Sequence, residues 1–243
     1  MQYWGLTDPG CVRPKNQDTY RIEQLDKHTV LCVVCDGMGG AKAGDVASAL
    51  AVETFTQEIR NHWNNDFEDE AVEQLLRGAV KLANFAVYDR GKQLEECAGM
   101  GTTLVAALLT GKKAYFVNVG DSRGYHITAE GIRQVTRDHS LVQMMVLRGE
   151  LTPEQAKTYP GKNFITRAVG TEQAVECDVY TTGLKKDSFI LLCTDGLSNL
   201  LDEQELLYEV AHEEDRDQCC RRLLEIAKKR GAPDNVTSVL VAV

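Results

Sequence analysis

Three aspartates stand where an apolar run gives way to glycine or serine. They are Asp36 in Val33-Val34-Cys35-Asp36-Gly37, Asp121 in Val117-Asn118-Val119-Gly120-Asp121-Ser122, and Asp195 in Leu191-Leu192-Cys193-Thr194-Asp195-Gly196. A fourth, Asp234, follows Gly231-Ala232-Pro233 shortly before a last apolar run. A single Asp-Gly after a strand is ordinarily a turn, because both residues favour turn backbones. Four at comparable positions point to a cluster, and clustered carboxylates repel one another and take up protons unless cations keep them ionised. Oxygen ligands without histidine or thiolate select hard ions, Mg²⁺ or Mn²⁺, over zinc. The glycine after Asp36 lets the backbone approach closely, which makes the Gly37 carbonyl a candidate ligand. Arg13, in a Pro-containing loop ahead of Asn16-Gln17-Asp18, carries the planar fork that grips phosphate through two parallel hydrogen bonds. Taken alone, Arg13 and Asp18 read as solvated loop residues.

Other patterns carry less. Cys32-x-x-Cys35 has the spacing of half a zinc site, but within a strand an odd separation sends the two side chains to opposite faces. The segment Gly37-Met38-Gly39-Gly40-Ala41-Lys42-Ala43-Gly44 has the look of a dinucleotide loop without its G-x-G-x-x-G spacing, and Asp36 would face a pyrophosphate uncompensated. Eight cysteines, most of them inside apolar runs, fit a reducing compartment better than a disulfide scaffold. With 27 basic against 36 acidic residues, a net charge of −9 and no dense basic stripe, the chain would repel a nucleic-acid backbone. Its apolar runs fall short of the roughly 18 residues a membrane span needs. Met1-Gln2-Tyr3-Trp4-Gly5 lacks the basic start and apolar core of a secretory signal. A cytoplasmic protein without membrane insertion is expected.

The elements that must position these residues can be read from periodicity. Strand-like runs fall at Tyr3 to Thr7, Tyr20 to Leu25, Val30 to Cys35, Thr103 to Leu109, Ala114 to Val119, Gly124 to Thr128, Val175 to Thr181, Phe189 to Cys193 and Ser238 to Val243. Short turns such as Thr110-Gly111-Lys112 favour antiparallel hairpins. Two helices follow each other without a strand between, one marked by Val46, Ala49, Val52, Phe55 and Ile59, the other by Val72, Leu75, Leu76, Ala79, Leu82, Ala83 and Ala86. A second pair lies near the C-terminus. Asp202 with Glu205 forms a capping box, and a helix through Cys220, Leu223, Leu224 and Ala227 stops at Gly231 with Pro233 beyond. The adjacent Cys219-Cys220 pair on that helix reads as packing or a surface thiol. At 243 residues, with five scattered prolines and no linker-like stretch, the chain is expected to form one domain of the α+β class. Between Asp138 and Arg167, short helix signals including the Thr152-Pro153-Glu154-Gln155 capping box predict a protruding flap, either a tolerated excursion or a lid over the substrate.

These residues, taken in order, resemble a known family. Arg13 with Asn16-Gln17-Asp18, Asp36-Gly37-Met38-Gly39-Gly40, Gly101-Thr102-Thr103, Val119-Gly120-Asp121-Ser122-Arg123, Asp138-His139-Ser140, Thr166-Arg167-Ala168-Val169-Gly170, Cys193-Thr194-Asp195-Gly196 and Asp234-Asn235-Val236-Thr237 are similar to the motif series of the metal-dependent protein phosphatases, the phosphatase 2C family. The match runs from about Thr7 to the C-terminus. The compact length and the methionine in Asp-Gly-Met-Gly-Gly resemble the bacterial branch, whose members typically oppose membrane-anchored serine/threonine kinases.

The resemblance implies a four-layer αββα sandwich, two mainly antiparallel sheets flanked by helix pairs, with a flap at about 138–167. It implies hydrolysis of phosphoserine and phosphothreonine by direct attack of a metal-bridging water, with two core Mn²⁺ or Mg²⁺ ions and a weaker third. Carried over position by position, Asp36 bridges the core metals, Asp195 and Asp234 complete the first, and the Gly37 carbonyl helps bind the second. Asp121 with Asp195 binds the third. Asp18 acts through metal-bound water, Asn235 as a neighbour of Asp234, and Arg13 as the phosphate clamp. Met38 stands where many relatives have a histidine proposed as general acid, and Ala41 where some bacterial relatives have one; neither donates a proton, so the leaving-group acid is unassigned. His139, beside a turn, reads as structural. The implied partners are phosphorylated proteins, a serine/threonine kinase and its substrates among them, met by a monomer. Two other readings, a non-catalytic phosphoprotein-binding regulator of the same fold and a small-molecule phosphohydrolase, share the fold and are separated by metal-dependent turnover of phosphopeptide.

Overall fold

Alternation along one strand divides the interior into layers. In β3 (Thr29–Met38), Leu31, Val33 and Cys35 join one buried cluster, while Val30, Cys32 and Val34 join another on the opposite face. Cys32 and Cys35 therefore diverge as their spacing requires, and all eight cysteines are free thiols. The coordinates are a computed structural model that describes residues 1–39, 43–212 and 215–243.

Two antiparallel sheets result. The first runs in the order β1 (Gln2–Asp8), β11 (Val236–Ala242), β10 (Phe189–Cys193), β7 (Arg123–Thr128) and β8 (Gly131–Gln134). The second runs β2 (Asp18–Asp26), β3, β5 (Leu104–Leu109), β6 (Lys113–Val119) and β9 (Asp178–Gly183), with β4 (Gly101–Thr102) pairing the end of β3. The turn between β5 and β6 is the expected hairpin, closed by Thr110 N–H donating to Lys113 O at 2.9 Å. Phe116, Leu192, Val105 and Val241 fill the space between the sheets. Helices α1 (Gly44–His62) and α2 (Asp69–Gln93) cover the second sheet. Helices α6 (Glu203–His212) and α7 (Arg216–Lys229) cover the first. This is the expected αββα sandwich.

Both capping boxes form. Glu205 N–H donates to Asp202 Oδ1 at 2.9 Å and Asp202 N–H to Glu205 Oε2 at 3.1 Å, opening α6. Thr152 and Gln155 do the same ahead of α4 (Pro153–Thr158), which with α3 (Leu141–Leu147) makes up the segment between β8 and β9. Cys219 and Cys220 are both buried, so this pair packs.

The structure corrects the sequence reading in several places. Val46, Ala49 and Leu82 face outward; the buried stripes run instead through Ala47, Ala51, Val52, Phe55 and Ile59, and through Val72, Leu76, Ala79, Ala83 and Val87. Apolar residues flank both stripes, and packing against a sheet selects the one whose alanines allow close approach. The strand expected at Val175 to Thr181 begins at Asp178, because the preceding backbone is held by α2 side chains: Arg77 donates to Cys177 O at 2.7 Å, and Asn84 to Glu172 O at 3.0 Å. The last strand starts at Val236, two residues earlier than its apolar run suggests, and ends at Ala242. The short edge strand β8 and the single-turn helix α5 (Asp195–Ser198) carry too few apolar residues to show a period.

Candidate active site

At one end of the sandwich every row of inward-facing side chains changes from apolar to polar. On β3 the row Val30, Cys32, Val34 ends in Asp36; on β2 the row Ile22, Tyr20 ends in Asp18. On the other sheet Ile190 and Leu192 lead to Thr194, and Val241 and Val239 lead to Thr237. Asp18 and Asp36 are direct cross-strand partners, which puts both carboxylates on one face. Asp36 does not end its strand, as the sequence suggested: Gly37 and Met38 continue it by pairing with Thr102 and Gly101. The continuation needs glycine at 37, where a Cβ would fall 2.0 Å from Gly44 O.

The remaining acids arrive from loops and a helix start. Asp195 is the first residue of α5, and its Oδ2 accepts from Asn199 Nδ2 at 3.0 Å. Asp121 follows Gly120, whose φ of 105° turns the chain sharply after β6. His139 grips that turn twice: its N–H donates to Gly120 O at 2.8 Å, and its Nδ1 accepts from Gly120 N–H at 3.1 Å. Asp234 is fixed by Asn235 N–H, which donates to its Oδ1 at 2.9 Å. Buried Asn235 also ties down the loop that carries Arg13, donating to Pro9 O at 3.0 Å and Lys15 O at 2.9 Å while accepting from Gln17 N–H at 2.8 Å.

The predicted acids thus converge, and their charges collide. Burial, followed by Asp18, Asp195, Asp121 and Asp234, pushes the Asp36 carboxyl well above the usual carboxylate range. Burial lifts Asp18 to about 7, although hydrogen bonds from Thr237 and Thr194 resist the rise. Asp121 is pushed up to about 7 by burial and then by Asp195 and Asp138. Asp195 rises through burial and then Asp234. Like charges at close quarters disfavour ionisation, and Asp18 Oδ1 is buried without any partner. Cations would relieve both conditions, and donors made of carboxylates and carbonyls suit Mn²⁺ or Mg²⁺. Among the described residues no three His, Cys, Asp or Glu side chains form a finished metal cage. It is the uncompensated charge of these carboxylates that calls for a cation.

Arg13 stands at the mouth. Its Nη2 donates to Asp234 Oδ2 at 2.8 Å, with the side chain 53% exposed, and this pairing with Asp234 raises its pKa further. Beside the acids, Arg123 closes on Asp138 with Nε and Nη2 both engaged, Nη2 to Oδ2 at 2.7 Å. Asp138 and His139 open the flap. A cleft of about 490 Å³ lies where the flap returns, lined by Met38, Ile165, Thr166, Arg167, Glu172 and Glu176 among others. Met38 thus borders the cleft, whereas Ala41 and its neighbours Gly40 and Lys42 lie outside the described residues. Sequence reasoning did not single out the roles of Thr7, Thr103, Thr194 and Thr237. For Thr103, Thr194 and Thr237 the signal was present, since each stands where an inward-facing apolar row turns polar; Thr7, which follows Tyr3 and Gly5 on its face of β1, carried none.

Two helix-covered sheets that gather aspartates at one end, with Arg13 paired to one of them, define a protein suited to holding hard cations beside a phosphate. The chain belongs to the protein phosphatase 2C family, whose profile matches residues 14–240. It is 34% identical over 238 residues to the serine/threonine phosphatase stp of Listeria monocytogenes, a match spanning 97% of this chain and 93% of that one. The crystal structure of serine/threonine phosphatase Stp1 from Staphylococcus aureus superposes with a TM-score of 0.92 at 37% identity, covering 100% of this chain and 94% of that one. The catalytic domain of the serine/threonine protein phosphatase PstP, solved with two manganese ions, superposes at 0.84 and 32% identity, covering 98% and 96%. A relative of that name is known from Mycobacterium tuberculosis. Among the described residues no helix is long and apolar enough to cross a membrane.

Proposed function

We propose that this chain is a metal-dependent protein phosphatase that removes phosphate from phosphoserine and phosphothreonine by direct attack of water. The observation that carries the reading is the convergence of Asp18, Asp36, Asp121, Asp195 and Asp234 at one end of the sandwich, where burial and mutual repulsion drive up the carboxyl pKa values of Asp18, Asp36, Asp121 and Asp195. Asp36 lies at the centre of this field, and together with Asp195, Asp234 and the Gly37 carbonyl it would hold two divalent cations. Asp121 with Asp195 offers a third, weaker position. Bound Mn²⁺ or Mg²⁺ supplies the positive charge that acidifies a water and screens the phosphoryl oxygens. Arg13 orients the phosphate: one of its N–H groups is engaged with Asp234, and the exposed guanidinium has further donors for the substrate oxygens. Asn235 acts by holding Asp234 and the Arg13 loop in register.

Residues 1–243 form a single phosphatase domain, and the flap at about 138–167 borders the cleft through which a substrate polypeptide reaches the acids. The partners are phosphorylated proteins of the cytoplasm, including a serine/threonine kinase and its substrates, met by a monomer. The membership of the chain and the similarity to named serine/threonine phosphatases support this reading. It is tested by hydrolysis of a phosphothreonine peptide across a Mn²⁺ titration, with a chelator control and Asp36→Ala alongside. Metal-dependent release abolished by both controls is expected. A folded wild-type protein that releases no phosphate from peptide at any Mn²⁺ concentration would overturn it.

A further inference from the structure

Four hydroxyl and amide groups close a circuit on Asp18. Thr194 Oγ1 donates to Asp18 Oδ2 at 2.9 Å, and Thr237 Oγ1 donates to the same oxygen at 2.6 Å. Thr237 and Thr7 share a hydrogen bond at 2.7 Å between their Oγ1 atoms. The hydroxyl of Thr237 has one proton, and that proton is engaged by the carboxylate, so Thr7 must be the donor to Thr237. Thr7 Oγ1 accepts in turn from Asn16 Nδ2 at 2.8 Å, and Asn16 Oδ1 accepts from the N–H of Asp18 itself at 3.2 Å. Every donor from Asn16 onward points toward Asp18 Oδ2. The other oxygen, Oδ1, is buried and has no partner. The circuit spans both sheets, since Thr7 and Thr237 belong to one, Thr194 directly follows β10 of that sheet, and Asp18 belongs to the other.

We infer that Asn16, Thr7, Thr237 and Thr194 are positioning residues for the cation site: they saturate Oδ2 of Asp18 and so present Oδ1, held still and unpaired, to the hydration shell of a bound divalent ion. The inference rests on the metal-dependent reading above. Two charge-assisted bonds to one oxygen fix the carboxylate plane, and chains of donors aligned in one direction polarise each other. A carboxylate set in this way loses little freedom on meeting a cation, and such outer partners of metal sites typically change affinity by about 10–100-fold when removed. Thr237 is the sharpest point of intervention, because valine keeps its shape and removes its hydroxyl.

The experiment is calorimetric titration of the full, metal-free chain with Mn²⁺, comparing wild type, Thr237→Val and Thr237→Ser, with Tm of each metal-free protein recorded. Thr237→Val is expected to weaken Mn²⁺ binding about tenfold, while Thr237→Ser, which keeps the hydroxyl, stays within about twofold of wild type. A purely structural threonine would instead lower Tm in both variants and leave affinity alone. Equal Mn²⁺ affinity in wild type and Thr237→Val overturns the inference, as does a serine variant as weak as the valine one. Should Thr237→Val not fold, Thr7→Val against Thr7→Ser breaks the circuit one link back, with a smaller loss expected for valine and none for serine; no loss there overturns it equally. Wild-type protein that binds no Mn²⁺ would overturn the metal-dependent reading itself, an outcome distinct from any difference between variants.

Discussion

Asp36 works against the stability of the protein that carries it. Its carboxyl is pushed far up by burial and by Asp18, Asp195, Asp121 and Asp234, so in the absence of cations the folded state carries a repulsion that the unfolded chain does not. Asp36→Asn keeps the shape and removes the central charge. Turnover of a phosphothreonine peptide should fall on the order of 10³-fold or more, since charge stabilisation at the reacting group is lost. In chelator, the same variant should melt a few degrees higher than wild type, a stability–function trade-off at a single atom pair. Equal or lower Tm for Asp36→Asn in chelator would remove repulsion as the organising force of the site. Arg13 is the converse case. Its pair with Asp234 is exposed, and such pairs contribute about 0–1 kcal/mol, so Arg13→Ala should shift Tm by less than roughly 4 °C. It should nonetheless lower kcat/KM for phosphopeptide by about 100-fold, because the bidentate phosphate grip goes with it. Unchanged kcat/KM would take Arg13 out of the substrate site.

At the scale of elements, the strands were far more legible than the helices, for a physical reason. A strand alternates with a period of two, so Val30, Cys32 and Val34 declare their face without ambiguity and carry Asp36 with them. Helix α1 has apolar residues on either side of its buried stripe, and the choice of Ala47 and Ala51 over Val46 and Ala49 is made by the sheet beneath, which a local window does not contain. Asp18, after Lys15-Asn16-Gln17, had no such signal, whereas Asp36, Asp121 and Asp195 were legible because each follows an apolar run, and Asp234 because it shortly precedes one. The bonds that tune them were not: Thr237 and Asp18 meet across 219 residues of chain. The short helix α4 between β8 and β9 was legible from its capping box, and His139 ties the start of that segment to Gly120. Its Nδ1 accepts from Gly120, which leaves Nε2 to carry the proton of the neutral ring beside Asp178 at 3.4 Å. Burial and then Arg167 lower the His139 pKa despite Asp178. A histidine whose folded pKa lies below its unfolded value contributes full stability above the unfolded pKa of about 6.5 and loses it as pH falls below that value. The Tm of wild type should therefore drop further between pH 7 and pH 5 than that of His139→Gln, which has no proton to gain. Turnover of a small aryl phosphate should survive in His139→Gln better than turnover of a peptide, because the change acts through the flap base. Complete loss of turnover on both substrates with an unchanged fold would assign His139 to the chemistry instead.

The whole molecule is two sheets joined along an apolar interior, with carboxylates from both collected at one end. Asp18 and Asp36 come from one sheet; Asp195 and Asp234 flank β10 and β11 of the other. A cation held among them would offset their mutual repulsion, which would make the metal a folding ligand as well as a reagent. At a free Mn²⁺ concentration about 100 times Kd, a ligand that binds the native state alone adds about 2.7 kcal/mol. For a chain of this length that corresponds to a Tm rise of roughly 5–11 °C. The gain should also be local. The opposite end of the sandwich, where Thr110 and Lys113 close the hairpin between β5 and β6, is apolar within and has no share in the repulsion. Hydrogen exchange followed by mass spectrometry with and without Mn²⁺ should therefore show added protection at the Asp36 end of β3, at α5 and at the start of β11, with the Thr110 hairpin unchanged. Protection spread evenly over both ends would mean that the ion stabilises the fold without closing this seam, and the acids would then owe their convergence to the sheets alone.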